Sequence, residues 1–252
     1  MAHESPAPAT SERLDAPDVL EAVRAWLPER RWFPTTADAT SVVRVSRTDL
    51  GTDEHGAHAV VDLLRVAGTS SSSPLTLQVP LVLEPAGTPP AAVDARGLVA
   101  VLSDGSRLLD GAYHPAFVSA WLERATWAEG SGAAGGESSS AFSPARFDVR
   151  GLHVLTGEQS NTSILLPSVS GGSMLKVIRA LAPGQNPDIV VPLALTREGW
   201  GGVPAPYAWS ETAVDEGAVV GGGPAAGENA AAAPTALPRT WTTHTGVLAE
   251  LV

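Results

Sequence analysis

GGSMLKVIRAL, residues 171–181, is an apolar run of strand length that follows a glycine pair and carries a charge in its middle. That charge is Lys176, the single lysine of a chain whose other fifteen cationic side chains are arginines. Along a strand successive side chains face opposite ways, so Met174, Lys176 and Ile178 share one face and Leu175, Val177 and Arg179 the other. A charge inside such a run is costly unless it meets a partner or a wet cleft. The same spacing also fits an edge position or a side chain that snorkels to solvent. Where arginine is the default cation, a retained lysine points to a role that needs a compact ammonium on a thin stem.

Upstream, TGEQSNT (156–162) separates two apolar runs, LHVL and SILL. A tight hairpin needs only two to five residues. This segment instead lines up Gln159, Ser160, Asn161, Thr162 and Ser163, whose hydroxyls and amides stand beside backbone N–H groups. Such a lining suits phosphate oxygens. SVSGG (168–172) then reads as a tight connection to the lysine strand. A polar loop between strands, followed by a strand lysine, is the design of a nucleotide-binding kinase lobe, where loop and lysine hold the phosphates. An ordinary polar loop beside an edge lysine is the plainer reading of the same residues.

Further out, residues 1–16 are polar and aperiodic and are expected to be disordered. APDVLEAVRAWL reads as a helix, with Asp15 or Asp18 as its cap and Pro28 as its end. SVVRVSRTDL, HAVVDLLRVAG and LTLQVPLVLEP read as strands separated by turns, and HPAFVSAWLERATW returns to helical spacing. Residues 128–144, AEGSGAAGGESSSAFSP, read as a Gly/Ser/Ala linker. They divide residues 17–127 from a strand-rich region, 145–252. In that region GLHVLTG, TSILLP, PYAWSE and THTGVLAELV join the lysine run as strand candidates, with residues 212–238 expected as an inserted loop. The fold class is α+β: a mixed first domain, a linker and a small antiparallel sheet.

The balance of 16 basic to 27 acidic residues, net −11, argues against a nucleic-acid or anionic-membrane surface. Without cysteine, disulfides and thiolate metal sites are excluded. The N-terminus has no apolar signal core and no run reaches the roughly 18 residues of a membrane span, so a cytoplasmic location is expected. Asp53, Glu54, His55 and His58 could be drawn as a metal site but read more simply as a solvated turn. Arg30, Arg31, Trp32 and Phe33 could be drawn as a nucleic-acid patch but, at this net charge, read as an arginine pair bracing aromatic packing, with Trp26 and Trp32 as core anchors. The G-x-S-x-G elbow and the P-loop pattern are both lacking.

GEQSNTSIL followed by LKVIRALAPGQNPDI resembles the actinobacterial maltokinase family, and WLPERRWFPTT resembles the opening of its N-terminal cap domain. The resemblance implies a cap with a curved antiparallel sheet and helices over 17–127, and a protein-kinase-like N-lobe sheet over 145–252. It implies an ATP- and Mg²⁺-dependent kinase that phosphorylates maltose at the anomeric hydroxyl, for α-glucan (glycogen) synthesis. Gln159, Ser160, Asn161, Thr162 and Ser163 would then form the phosphate loop, and Lys176 the phosphate-binding lysine. VLAELV, with Glu250 and Val252, would run into the hinge whose backbone reads adenine. A complex with a glucan-pathway enzyme such as trehalose synthase is a further implied partnership.

Several positions depart from the family pattern, among them RWFPTT (31–36), which keeps only half of the cap's R-W-[FY]-x-G-[KR] motif. Val190 stands where a helix glutamate would pair with the lysine, and Pro192 is expected to interrupt that helix. The family's H-G-D-x-H and D-F-E segments, which supply the base and the metal ligands, do not occur in these 252 residues. The chain is therefore expected to be the N-terminal part of a sugar kinase, inactive alone, with sugar acceptor and Mg²⁺ held by an absent C-lobe. The alternatives are a non-catalytic cap and pseudokinase module, or a kinase for another sugar such as glucosamine.

Overall fold

A computed structural model describes residues 10–68, 73–128, 147–157, 160–215 and 240–251. Two short helices open the chain, α1 (Thr10–Leu14) and α2 (Pro17–Trp26). The helix over 10–14 corrects the expectation of disorder through residue 16. Leu14 is fully buried, and Arg13 donates to both carboxylate oxygens of Asp18 and to Asp104, 91 residues away. That distant partner is invisible in local composition; residues 1–9 lie outside the described residues. Asp18 therefore answers Arg13, and the α2 N-cap is Ala16, with no side-chain bond. Val19, Val23 and Trp26 supply the buried stripe of α2.

Three long strands follow: β1 (Ala37–Thr52), β2 (His58–Gly68) and β3 (Leu75–Glu84). β4 (Leu98–Val101) and β5 (Arg107–Asp110), which the sequence reading did not find, complete an antiparallel sheet ordered β1-β2-β3-β5-β4. The β1–β2 turn is shaped by Asp53, whose Oδ1 accepts from the amides of His55 and Ala57; His58 is buried between Thr52 and Asp49. β3 is buried on both faces, so it reads as a continuous apolar run rather than an alternating one.

The helix α3 (Pro115–Arg124) follows, capped by His114, whose Nδ1 accepts from the Ala116 amide. The second sheet is also antiparallel, in the order β6-β11-β12-β9-β8-β7. Its strands are β6 (Thr126–Trp127), β7 (His153–Val154), β8 (Asn161–Leu166) and β9 (Ser173–Ile178). β11 (Pro206–Asp215) and β12 (Thr240–Glu250) complete it, with α4 (Pro187–Arg197) between β9 and β11 in the chain. Residues 212–215, expected in a loop, extend β11, because Val214 is buried and pairs with Trp241. The remainder of 212–238, and the linker residues beyond Ala128, lie outside the described residues.

The two sheets share their interior. Phe117 and Trp121 of α3 pack in one cluster with Val82 of the first sheet and Ile164, Leu175 and Leu248 of the second. Trp121 donates to Ser210 Oγ and lies so close to Gly246 that an added Cβ would meet its indole at 3.1 Å. After β9 the chain crosses over, and the two-residue strand β10 (Ala180–Leu181) pairs with Leu77 and Thr76 of β3. Gln78 reinforces the junction: its Nε2 donates to the carbonyls of Ile178 and Thr245, and its amide to Arg179 O. Among the described residues no helix is long and apolar enough to cross a membrane.

Candidate functional site

The alternation read for 173–179 is the one observed. Leu175 and Val177 enter the core shared with the first sheet, while Lys176 lies on the opposite face with Ile178. Lys176 is paired across β8 with Ser163 and across β12 with Val247; one step away, Met174 is paired with Leu165 and Ala249. Paired residues in an antiparallel sheet project to the same side. The Lys176 face therefore carries a half-buried strip of Leu165, Met174 and Ala249 beside the ammonium.

Lys176 Nζ donates to Asp188 Oδ2 at 3.1 Å, with the lysine side chain 29% and the aspartate 59% exposed. This is the partner sought at position 190. Val190 is half-buried and belongs to none of the core clusters, whereas Asp188 sits two residues earlier in the first turn of α4. A carboxylate there is favoured by the helix dipole, so it answers the lysine without leaving its own best position. Asn186 caps the helix by accepting the Asp188 amide at 2.9 Å. The Asn186 amide in turn donates to His244 Nδ1 at 3.1 Å, and His244 Nε2 lies 3.1 Å from Glu211. The pair is thus anchored through β12. Pro192, expected to interrupt this helix, lies inside it: the ring deletes one backbone donor but α4 runs on to Arg197.

The five residues read as a phosphate loop separate in the structure. Gln159 lies outside the described residues. Ser160 precedes the sheet, and Asn161, Thr162 and Ser163 form the start of β8, one residue earlier than the strand candidate TSILLP, because they pair with Ile178, Val177 and Lys176. Thr162 faces away from Lys176, toward the first sheet, where its Oγ1 accepts from Arg179 Nε at 2.8 Å. Ser163 is fully buried beside Lys176, its Oγ without a hydrogen-bond partner. Glu250 ends β12 with its amide donating to Ala205 O, and Val252 lies outside the described residues.

The first sheet approaches from the other side. Arg179 is fully buried, with Nη2 donating to both oxygens of Asp110 at 2.9 and 2.7 Å and its guanidinium 4.5 Å over the Trp32 ring. Trp32 meets Trp26 edge-on, and Arg30 covers Trp26 at 5.0 Å, as the brace reading of this segment required. Among the described residues Arg31 meets no aromatic ring; it donates to Thr156 O at 2.8 Å, across the two sheets. Asp110 and Asp188 were missed by the sequence reading. The signal for Asp188 was present, an acid at the second position of a helix opened by Asn-Pro; for Asp110 there was none.

Among the described residues no group of three His, Asp or Glu side chains converges as a metal site. No curated protein matches the chain. Residues 26–113, from the end of α2 to the turn after β5, match the family model of the maltokinase N-terminal cap domain.

Proposed function

We propose that this chain is the cap and nucleotide-binding part of an ATP-dependent sugar kinase of the maltokinase type, acting on the anomeric hydroxyl of maltose. The observation that carries the reading is the partly exposed Lys176–Asp188 pair, on the face of the second sheet opposite Leu175 and Val177. A strand lysine paired with a helix carboxylate is how kinase lobes keep an ammonium aimed at nucleotide phosphates. Asp188 fixes the direction of the ammonium, and Leu165, Met174 and Ala249 offer an apolar strip for a flat base. The match of residues 26–113 to a maltokinase cap supports the sugar-kinase class.

The same residues do not fit magnesium. Lys176 has one carboxylate partner among the described residues, half-exposed Asp188, whereas Mg²⁺ takes near-octahedral oxygen ligation. This reading therefore assigns the metal ligands, the base that accepts the sugar hydroxyl proton and the acceptor pocket to a further lobe. It also carries the proposals of a cytoplasmic location, a role in α-glucan synthesis and a trehalose-synthase-type partner.

The test is a thermal melt of the full chain with ATP. Binding is expected to stabilise by about 2.7 kcal/mol at a hundredfold excess over Kd. Lys176→Met is expected to remove the shift while leaving the unliganded melting temperature unchanged. A folded chain that ATP does not stabilise overturns the reading and leaves a non-catalytic cap module.

A further inference from the structure

Between the two sheets, on the side away from Lys176, lies a pocket of about 400 Å³. Glu29, Arg30, Arg31, Trp32, Arg96, Asp110 and Tyr113 line it from the first sheet's side, and residues 154–156 with Asn161 and Thr162 close it from the second. Behind this lining lies the buried Arg179, which touches three lining residues at once: it bonds to Asp110 and Thr162 and stacks on Trp32.

The charge arithmetic of this pocket is unbalanced. Arg30 is paired with Glu29, Arg96 with Asp94 and Arg179 with Asp110, which leaves Arg31 as a fourth guanidinium with no carboxylate partner among the described residues. Two donors are also unanswered: Arg30 Nε, on a lining residue, and Arg179 Nη1, behind the wall, are buried without hydrogen-bond partners. Buried donors of charged groups without acceptors are expensive, because each loses water and gains nothing in exchange. Guanidinium forks match the paired oxygens of phosphate and carboxylate groups.

We propose that this inter-sheet pocket is a binding site for a small oxyanion-bearing metabolite, a phosphate monoester or a carboxylate, separate from the Lys176 face. Arg31 and Arg96 grip the anion at the rim, Arg30 supplies the inner donor, and the buried Arg179 holds the wall in place behind it. The volume exceeds a bare oxyanion, so the ligand carries an organic body against Tyr113 and Trp32. Because Arg31 also holds Thr156 O, an occupied pocket ties the β7–β8 connection to the cap.

The experiment is thermal melting of the full chain in inorganic phosphate, glucose 6-phosphate or malonate, each against sodium chloride of equal ionic strength. The expected result is a rise of about 3 °C or more at tenfold excess over Kd with at least one of the three. A response to phosphates alone or to malonate alone identifies the anion class. Arg31→Gln and Arg96→Gln, both at the exposed rim, are each expected to remove most of the rise, and Lys176→Met to leave it intact. No rise beyond the chloride control, a rise that survives both rim variants, or a rise lost in Lys176→Met overturns the proposal. Retention in Lys176→Met also separates this site from the nucleotide reading, which that variant is expected to abolish.

Discussion

Lys176 and Arg179 stand three residues apart in one apolar run and end in opposite surroundings. The lysine faces away from Leu175 and Val177, partly exposed, with a single half-exposed carboxylate at 3.1 Å. The arginine faces the first sheet, fully buried, with a two-oxygen carboxylate contact, a threonine hydroxyl and an indole against its plane. Each uses what its side chain does best. A planar fork of donors suits a fixed, dry junction that must hold two sheets in register, and a point charge on a flexible stem suits a site that exchanges partners. Charge is therefore structural on one face of this sheet and available on the other.

The largest expected effect breaks the buried side. Asp110→Ala leaves the Arg179 guanidinium buried and uncompensated, and is expected to cost about 3–5 kcal/mol in urea unfolding. Combining it with Arg179→Met should recover most of that loss; a double variant as unstable as the single one would show that the pair is not the source.

Next is Gln78→Leu, which strips the shared donor from the Ile178 and Thr245 carbonyls. It is expected to cost about 2 kcal/mol, since two buried acceptors lose their partner. A smaller cost than for a conservative change on the Lys176 face would contradict the contrast between the two sides.

A third effect is titratable. His114 accepts the Ala116 amide on Nδ1 and faces Glu84 through Nε2, so a second ring proton would displace the helix cap. Burial lowers its pKa below the usual histidine value, although hydrogen bonding to Glu84 acts the other way. The unfolded chain then binds the proton first, so this contribution is present above about pH 6.5 and is lost as pH falls through the folded value. Unfolding midpoints at pH 7.5 and 5.5 should converge in His114→Gln relative to wild type.

Smallest is the Lys176 side. Asp188→Asn should alter stability by about 0.5 kcal/mol or less, because a half-exposed pair contributes little. Its effect should appear in ATP affinity instead; a large loss of stability would place Lys176 among the structural charges.

What was legible follows from range. The strand reading 58–68 coincides with β2, and the alternation through 173–179 gave the correct faces, because both depend only on neighbours in sequence. β4 and β5 escaped because four-residue strands around a short turn carry too little pattern. The polar run 159–163 looked like a loop on composition, yet its second half is strand, and pairing with β9 overrode local preference. Arg179 was assigned a face but not a partner, since Asp110 lies 69 residues back. The helix acid was sought at Val190, from a motif position, when the cap geometry of α4 selects Asp188.

The crossover at β10 has a practical consequence for anyone dissecting this protein. Residues 26–113 look like a detachable module, but Leu77 and Thr76 of that segment, paired with β2 on one side, take their strand neighbours on the other side from Ala180 and Leu181. Expressed alone, the module would present a naked sheet edge and the apolar undersurface that α3 normally covers, inviting self-association. Excision would be better served by carrying residues 180–181 along as a tethered strand, much as a zip needs the end of its opposite tape.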